Sequence, residues 1–240
     1  EETLARQRRI GKQWLRLHGM EVEEKDVVIA FGTQNALTTT LTSLLQRDDK
    51  VATDIYTYYG LKHLVRTLGL RLVPVDVDDG GISLESLDRV CRSAGVKALF
   101  AIPDCHNPTT RTMSRERREG VAAVLRRHSV LLIEDAIYSF LGNSDCEPIS
   151  AMVPELGIYV SGTSKSLTPE LRVAFIATPE RLRKRILSAS YGISLVNSSI
   201  CVDFIGKMME TGLLEDIIAD RIRMAGERTK LASDILAGHA

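Results

Sequence analysis

ALFAIPDCHNPTTRTMSRERREGVAAVLRRHSVLLIED, residues 98–135, holds two apolar runs separated by a loop and a helical pattern. It opens on a short apolar run, 98–103, and passes through a proline-bearing loop. It then enters a helical pattern at 115–128 and closes on a second apolar run, 130–135. Apolar runs of this length bounded by turn residues read as strands, and a helix between two of them is the repeating unit of a parallel sheet. Ser114 stands where a helix N-cap is needed, because its hydroxyl can accept from an orphan backbone N–H of the first turn.

The same alternation extends in both directions. Further strands are expected at 27–31, 50–55, 71–77, 157–162 and 172–178, with helices near 33–46, 58–68 and 84–94, the last capped by Ser83. Gly80-Gly81 and Asn143-Ser144 read as surface turns. Beyond residue 179 the strands stop, and helical periodicity runs over 179–191, 195–210 and 214–236. The expectation is a three-layer α/β/α sandwich built on a mostly parallel seven-stranded sheet. Residues 1–240 are expected to form one large domain, since 240 residues at 44% hydrophobic content can bury a substantial core.

Composition narrows the function. Lys plus Arg equals Asp plus Glu at 31 each, so no basic surplus points to nucleic acid or an anionic membrane. Cys91, Cys105, Cys146 and Cys201 form no CxxC pair, which argues against zinc and iron–sulfur sites. No apolar run approaches bilayer length, and the start is too charged for a secretory signal, so a soluble cytoplasmic protein is expected. The first residues read as an amphipathic helix with Leu4, Trp14 and Leu17 in register. Its Arg6, Arg9, Lys12 and Arg16 read as a solvated face rather than a DNA contact. With no initiator Met, the chain is expected to begin partway through a larger protein.

Ligands of open α/β sheets bind beyond the carboxyl ends of the strands, so the residues following each strand carry the information. GTQNAL (32–37) opens a helix and points the backbone N–H groups of Thr33 and Gln34 outward, as an anion site would. A plain strand-to-helix turn explains the same residues. Tyr56, Tyr58 and Tyr59 could stack on a flat ligand, or simply half-bury their rings. PDCHNPTT (103–110) presents Asn107 before a proline, where Asn is also an ordinary turn residue. His106 reads as a solvated loop histidine.

VLLIEDAIYSFL (130–141) ends a strand in Glu134 and Asp135, which alternation sends to opposite faces. A carboxylate buried there needs a partner: a protonated ring nitrogen, an N-cap or an arginine. Tyr138 lies one turn further on. SGTSKSLTPELRVAF (161–175) sets Lys165 among small and hydroxyl residues, with Arg172 seven positions later. Small neighbours suit the close approach of a cofactor, and hydroxyls with arginine suit a phosphate.

In this order the five sites resemble those of class I/II aminotransferases of fold type I, which use pyridoxal 5′-phosphate (PLP), and the resemblance covers almost the whole chain. HNPTT, IEDAIY and SGTSKSLTPELR are similar to phrases of the aminotransferase-like domain of MocR-type regulators of the GntR family. The resemblance implies a PLP Schiff base on Lys165, with Asp135 against the pyridinium nitrogen and Asn107 and Tyr138 on the ring 3′-oxygen. It implies Tyr58 as the stacking ring, with Tyr56 second, and Thr33, Gln34, Ser161, Ser164 and Arg172 around the phosphate. Lys165, Asp135 and Tyr138 would be the catalytic group.

Three positions depart from the family pattern. Thr110 stands where glycine is common, as does Glu170, and Gly162 stands where a hydroxyl is common. The function implied is amino-group transfer between an amino acid and a 2-oxo acid in a homodimer, without metal. A PLP-binding sensor domain of a MocR-type regulator is the alternative. In either case a C-terminal small domain and an N-terminal segment of the family would lie outside these residues.

Overall fold

The computed structural model describes residues 2–142, 146–195 and 198–237. Asn143 and Ser144, read above as a surface turn, lie outside the described residues. In chain order the elements are α1 (Glu2–Leu17), β1 (Val27–Ala30), α2 (Thr33–Leu44), β2 (Lys50–Asp54), α3 (Tyr59–Thr67) and β3 (Arg71–Val75). There follow β4 (Val77–Asp78), β5 (Gly81–Ile82), α4 (Leu84–Ser93), β6 (Ala98–Ala101), α5 (Arg115–His128) and β7 (Leu131–Asp135). The chain continues with α6 (Ile149–Met152), β8 (Gly157–Gly162), β9 (Ala174–Ala177), α7 (Glu180–Ser194), α8 (Ser199–Glu210) and α9 (Leu213–Leu236).

Seven strands form one sheet in the order β1-β9-β8-β7-β6-β2-β3. The pairs from β8 through β3 are parallel, whereas β9 runs antiparallel to both β8 and β1. Two antiparallel steps make β1 parallel to β8. The carboxyl ends of β1, β2, β6, β7 and β8 and the amino end of β9 therefore share one edge of the sheet.

Alternation along the strands divides the core between the two faces. Val28, Ala30, Ile133, Ile158 and Val160 pack with Ala36, Leu37 and Leu41 of α2, Leu61 of α3 and Ile186 of α7. On the opposite face Leu99 and Leu132 pack under Leu87 of α4, Val121 and Leu125 of α5 and Ile149 of α6. Val27, Ile29, Tyr159 and Phe175 lie on that same face, under Trp14 of α1 and Val202 and Ile205 of α8. The result is the expected three-layer sandwich.

Both expected caps are present: Ser83 Oγ accepts from Ser86 N at 3.3 Å, and Ser114 Oγ from Arg117 N at 3.3 Å. The expected strand 71–77 is broken at Asp76. Its backbone N–H donates to Ser86 Oγ at 3.1 Å and its carbonyl accepts from Ser83 N at 2.9 Å, so it leaves the ladder. Beyond the break, Gly80 lies in the turn of the small β4–β5 hairpin and Gly81 opens β5.

Candidate active site

Five loops meet at the shared edge of the sheet. At the end of β1, Gly32 has φ +82° and opens α2. The first N–H groups of α2 have no partner within the helix and carry its positive end. Arg172, which precedes β9, lays its guanidinium against that turn. A Cβ at Gly32 would stand 2.9 Å from Arg172 Cζ, and Arg172 Nη2 approaches Phe31 O at 3.5 Å. Thr33 Oγ1 is buried with no hydrogen-bond partner. A Cβ at Gly162 would fall 2.1 Å from that oxygen, so glycine at the end of β8 is what lets the mouth of α2 sit so close to the sheet.

Lys165 follows in the turn after β8 and is exposed. Its loop is anchored on both sides. Thr163 N and Oγ1 both donate to Val173 O at 3.1 Å, and Leu167 N donates to Thr163 O at 2.9 Å. Ser164 is half-buried beside it, and the hydroxyl of Ser166 is buried without a partner. From α9, Arg221 Nη2 donates to Leu167 O at 3.2 Å.

On the neighbouring β7, alternation separates the two acids as expected. Glu134 faces α6, where its carboxylate accepts from Ile149 N at 3.3 Å and Ser150 N at 2.7 Å. Asp135 is buried on the other face, and its Oδ1 accepts from Ile137 N at 3.2 Å. Burial pushes Asp135 up to about 7, with that backbone N–H as the opposing influence. An opposite charge brought beside it would favour the charged form again.

Tyr58 is half-buried, and its hydroxyl donates to Gln34 Oε1 at 3.3 Å. Burial raises the Tyr58 phenol first, then Tyr59, Asp135 and Tyr138 raise it further, while Arg172 lowers it. The electrostatic neighbours of Tyr58 beyond its own loop thus come from two others, the one after β7 and the one before β9. Tyr56 is exposed, whereas Tyr58 is half-buried and feels the charge of Asp135. Asn107 and Tyr138 are half-buried in the loops following β6 and β7.

A profile of the class I and II aminotransferases matches residues 6–237. The chain belongs to that family. The aminotransferase-family chain is 32% identical over 221 residues to YdeF, an uncharacterized HTH-type transcriptional regulator of Bacillus subtilis, covering 92% of this chain and 48% of that protein. It is 31% identical over 182 residues to aminotransferase swnA of Metarhizium robertsii, covering 70% of this chain and 36% of that one. It superposes on the crystal structure of an archaeal alanine:glyoxylate aminotransferase with a TM-score of 0.91 and 24% identity, over 98% of this chain and 60% of that one. That likeness establishes the fold. The chain spans about half the length, or less, of these curated relatives.

In the aminotransferase-family chain the strand ends bring the expected residues to one edge of the sheet, and Ser161 turns to the opposite face from Gly162. Ser161, expected at the phosphate, accepts a hydrogen bond from Trp14 Nε1 at 2.9 Å, and both residues are fully buried. Because Gly162 faces α2, its neighbour Ser161 faces α1, on the wrong side of the sheet for the cradle. The Gln34 side-chain amide is tied to the Tyr58 hydroxyl and to Gly60 O, each at 3.3 Å. His106, read as a solvated loop residue, is buried and hydrogen-bonded on both ring nitrogens. Thr110 takes φ +60°, which shows why glycine is common there. Among the described residues no cluster of three or more metal-ligating side chains occurs, and no helix is long and apolar enough to cross a membrane.

Proposed function

We propose that the chain is the large, cofactor-binding domain of a PLP protein that holds the cofactor covalently on Lys165 and receives the amine of an amino acid. The observation that carries this reading is Asp135, a carboxylate sealed at the end of a central strand and raised to about 7 by burial. A protonated ring nitrogen set against it would restore its charge, and Asp135 would in turn keep that nitrogen protonated. The partnerless Thr33 hydroxyl, the free N–H groups of α2 and the Arg172 guanidinium fit a phosphate at the other end of the same ligand.

Each side chain then has a role. Thr33 and Gln34 through their backbone, Ser164 through its hydroxyl and Arg172 through its charge would hold the phosphate. Tyr58 would cover one ring face, and Asn107 and Tyr138 would donate to the ring 3′-oxygen. Bound PLP supplies the electron sink for charge developing at the substrate α-carbon. Lys165 Nζ, released by the incoming amine, would take the proton from that carbon and return it to the cofactor's C4′.

We favour an effector domain of a MocR-type regulator, because the identity to the HTH-type regulator extends over 92% of this chain. Transamination is the second reading, supported by 31% identity to an aminotransferase and by the presence of the whole lysine–aspartate–asparagine–tyrosine set. In both readings a homodimer is supported by the apolar side chains left outside at the α7–α8 corner, Leu195 and Ile200, at 80% and 82% exposed. Titration of the PLP-loaded full-length protein with a panel of amino acids separates the two. A spectral shift that persists without conversion marks a sensor, whereas conversion to pyridoxamine 5′-phosphate marks a transaminase. No spectral response to any amino acid contradicts both.

A further inference from the structure

Asp54 and His106 form a buried pair that none of the roles above uses. Asp54 ends β2, and its Oδ2 lies 2.7 Å from His106 Nε2. Both side chains are more than nine-tenths buried. The other ring nitrogen, Nδ1, lies 2.8 Å from Thr109 Oγ1. In the tautomer with the proton on Nε2, that nitrogen donates to the carboxylate and Nδ1 accepts from the threonine hydroxyl.

The positions of these partners in the chain give the pair its meaning. Asn107 stands between His106 and Thr109, so the imidazole spans the turn that presents Asn107 and ties it to the neighbouring strand. The backbone closes the same turn: His106 N donates to Arg111 O at 2.8 Å, and Cys105 N to Thr112 Oγ1 at 3.1 Å. On the other side of Asp54, Thr53 and Thr57 share a hydrogen bond of 2.8 Å at the start of the loop that carries Tyr58. Two separate buried hydrogen bonds from adjacent residues of β2 thus brace the two loops that offer Asn107 and Tyr58 to the same site.

Because buried hydrogen-bonded groups fix geometry to fractions of an ångström, we infer that His106, held by Asp54, is a positioning residue that sets the Asn107 side chain toward the 3′-oxygen of the bound cofactor. This inference rests on the PLP reading. A donor on the ring oxygen makes that oxygen a poorer base for the proton it shares with the lysine nitrogen. Losing the donor lets the proton stay on to higher pH, so the pH midpoint of the visible band rises.

The test is the pH titration of that band in the PLP-loaded full-length protein. In His106→Phe the midpoint rises by about one pH unit, a tenfold change, with PLP still bound one per chain. His106→Gln, which keeps a donor and an acceptor, returns the midpoint most of the way to the wild-type value. Asn107→Ala shifts the midpoint by itself, and adding His106→Phe to it produces no further change, because the two residues act as a unit. Asp54→Asn, of equal size, serves as the milder variant if His106→Phe does not fold, and it shifts the midpoint in the same direction. An unmoved midpoint in the folded His106 or Asp54 variant, or a full additional shift on top of Asn107→Ala, overturns the inference while leaving the PLP reading intact. Absence of the visible band from the wild-type protein overturns both.

Discussion

Asp135 carries a burial cost that, on the PLP reading, a bound cofactor would relieve. Burial raises its carboxyl from 3.8 to about 7, so the cofactor-free folded chain holds this proton more tightly than the unfolded chain does. Stability from this group is fully present below about pH 4 and is lost as the pH rises through about 7. A shift of about 3 units corresponds to at most ~4 kcal/mol. In the cofactor-free protein, Asp135→Asn is expected to match the wild type near pH 4. At pH 8 it should exceed it by ~2–4 kcal/mol, read as urea midpoints across a pH series. Equal midpoints at pH 8 would show that the site tolerates the charge. With PLP bound the order should reverse, since only the wild type gains an ion pair.

At the scale of elements, α1 does more than cover the sheet. Trp14 is fully buried against Phe175, and it donates to Ser161 on the strand that leads into the Lys165 loop. A Cβ at Gly11 would lie 2.6 Å from the Phe175 ring, so glycine there brings the helix down onto β9. Trp14→Ala is expected to cost ~3–5 kcal/mol of stability, and it also leaves the Ser161 hydroxyl without its donor. Chemical denaturation of the purified variant measures this, and a loss below ~1 kcal/mol would mean the helix is dispensable to the core.

Elements such as α5 and β7 were legible in the sequence because their signals are local: strand and helix periods differ, and Ser83 and Ser114 mark helix starts within three residues of the N–H they accept. The misread features depend on partners distant in sequence. Asp76 leaves its strand for Ser86, Ser161 is claimed by Trp14 147 residues away, and His106 is buried because Asp54 stands on the neighbouring strand. Lys165 and Asp135 stand out in the sequence because they lie at or just beyond strand ends. The residues that brace them do not, since no spacing in the sequence encodes a contact between loops.

At the scale of the molecule, the sheet carries the site on one edge, and α9 extends from it with only Leu214 buried along its 24 residues. Arg221 nevertheless joins α9 to the Lys165 loop through the Leu167 carbonyl. The central claim is that Lys165 is the residue bonded to PLP, and one measurement addresses it: borohydride reduction of the full-length PLP-loaded protein, followed by peptide mapping by mass spectrometry. A single phosphopyridoxyl adduct is expected, on the peptide containing Lys165, and it disappears in Lys165→Ala. An adduct on a different lysine, or its survival in that variant, would contradict the claim.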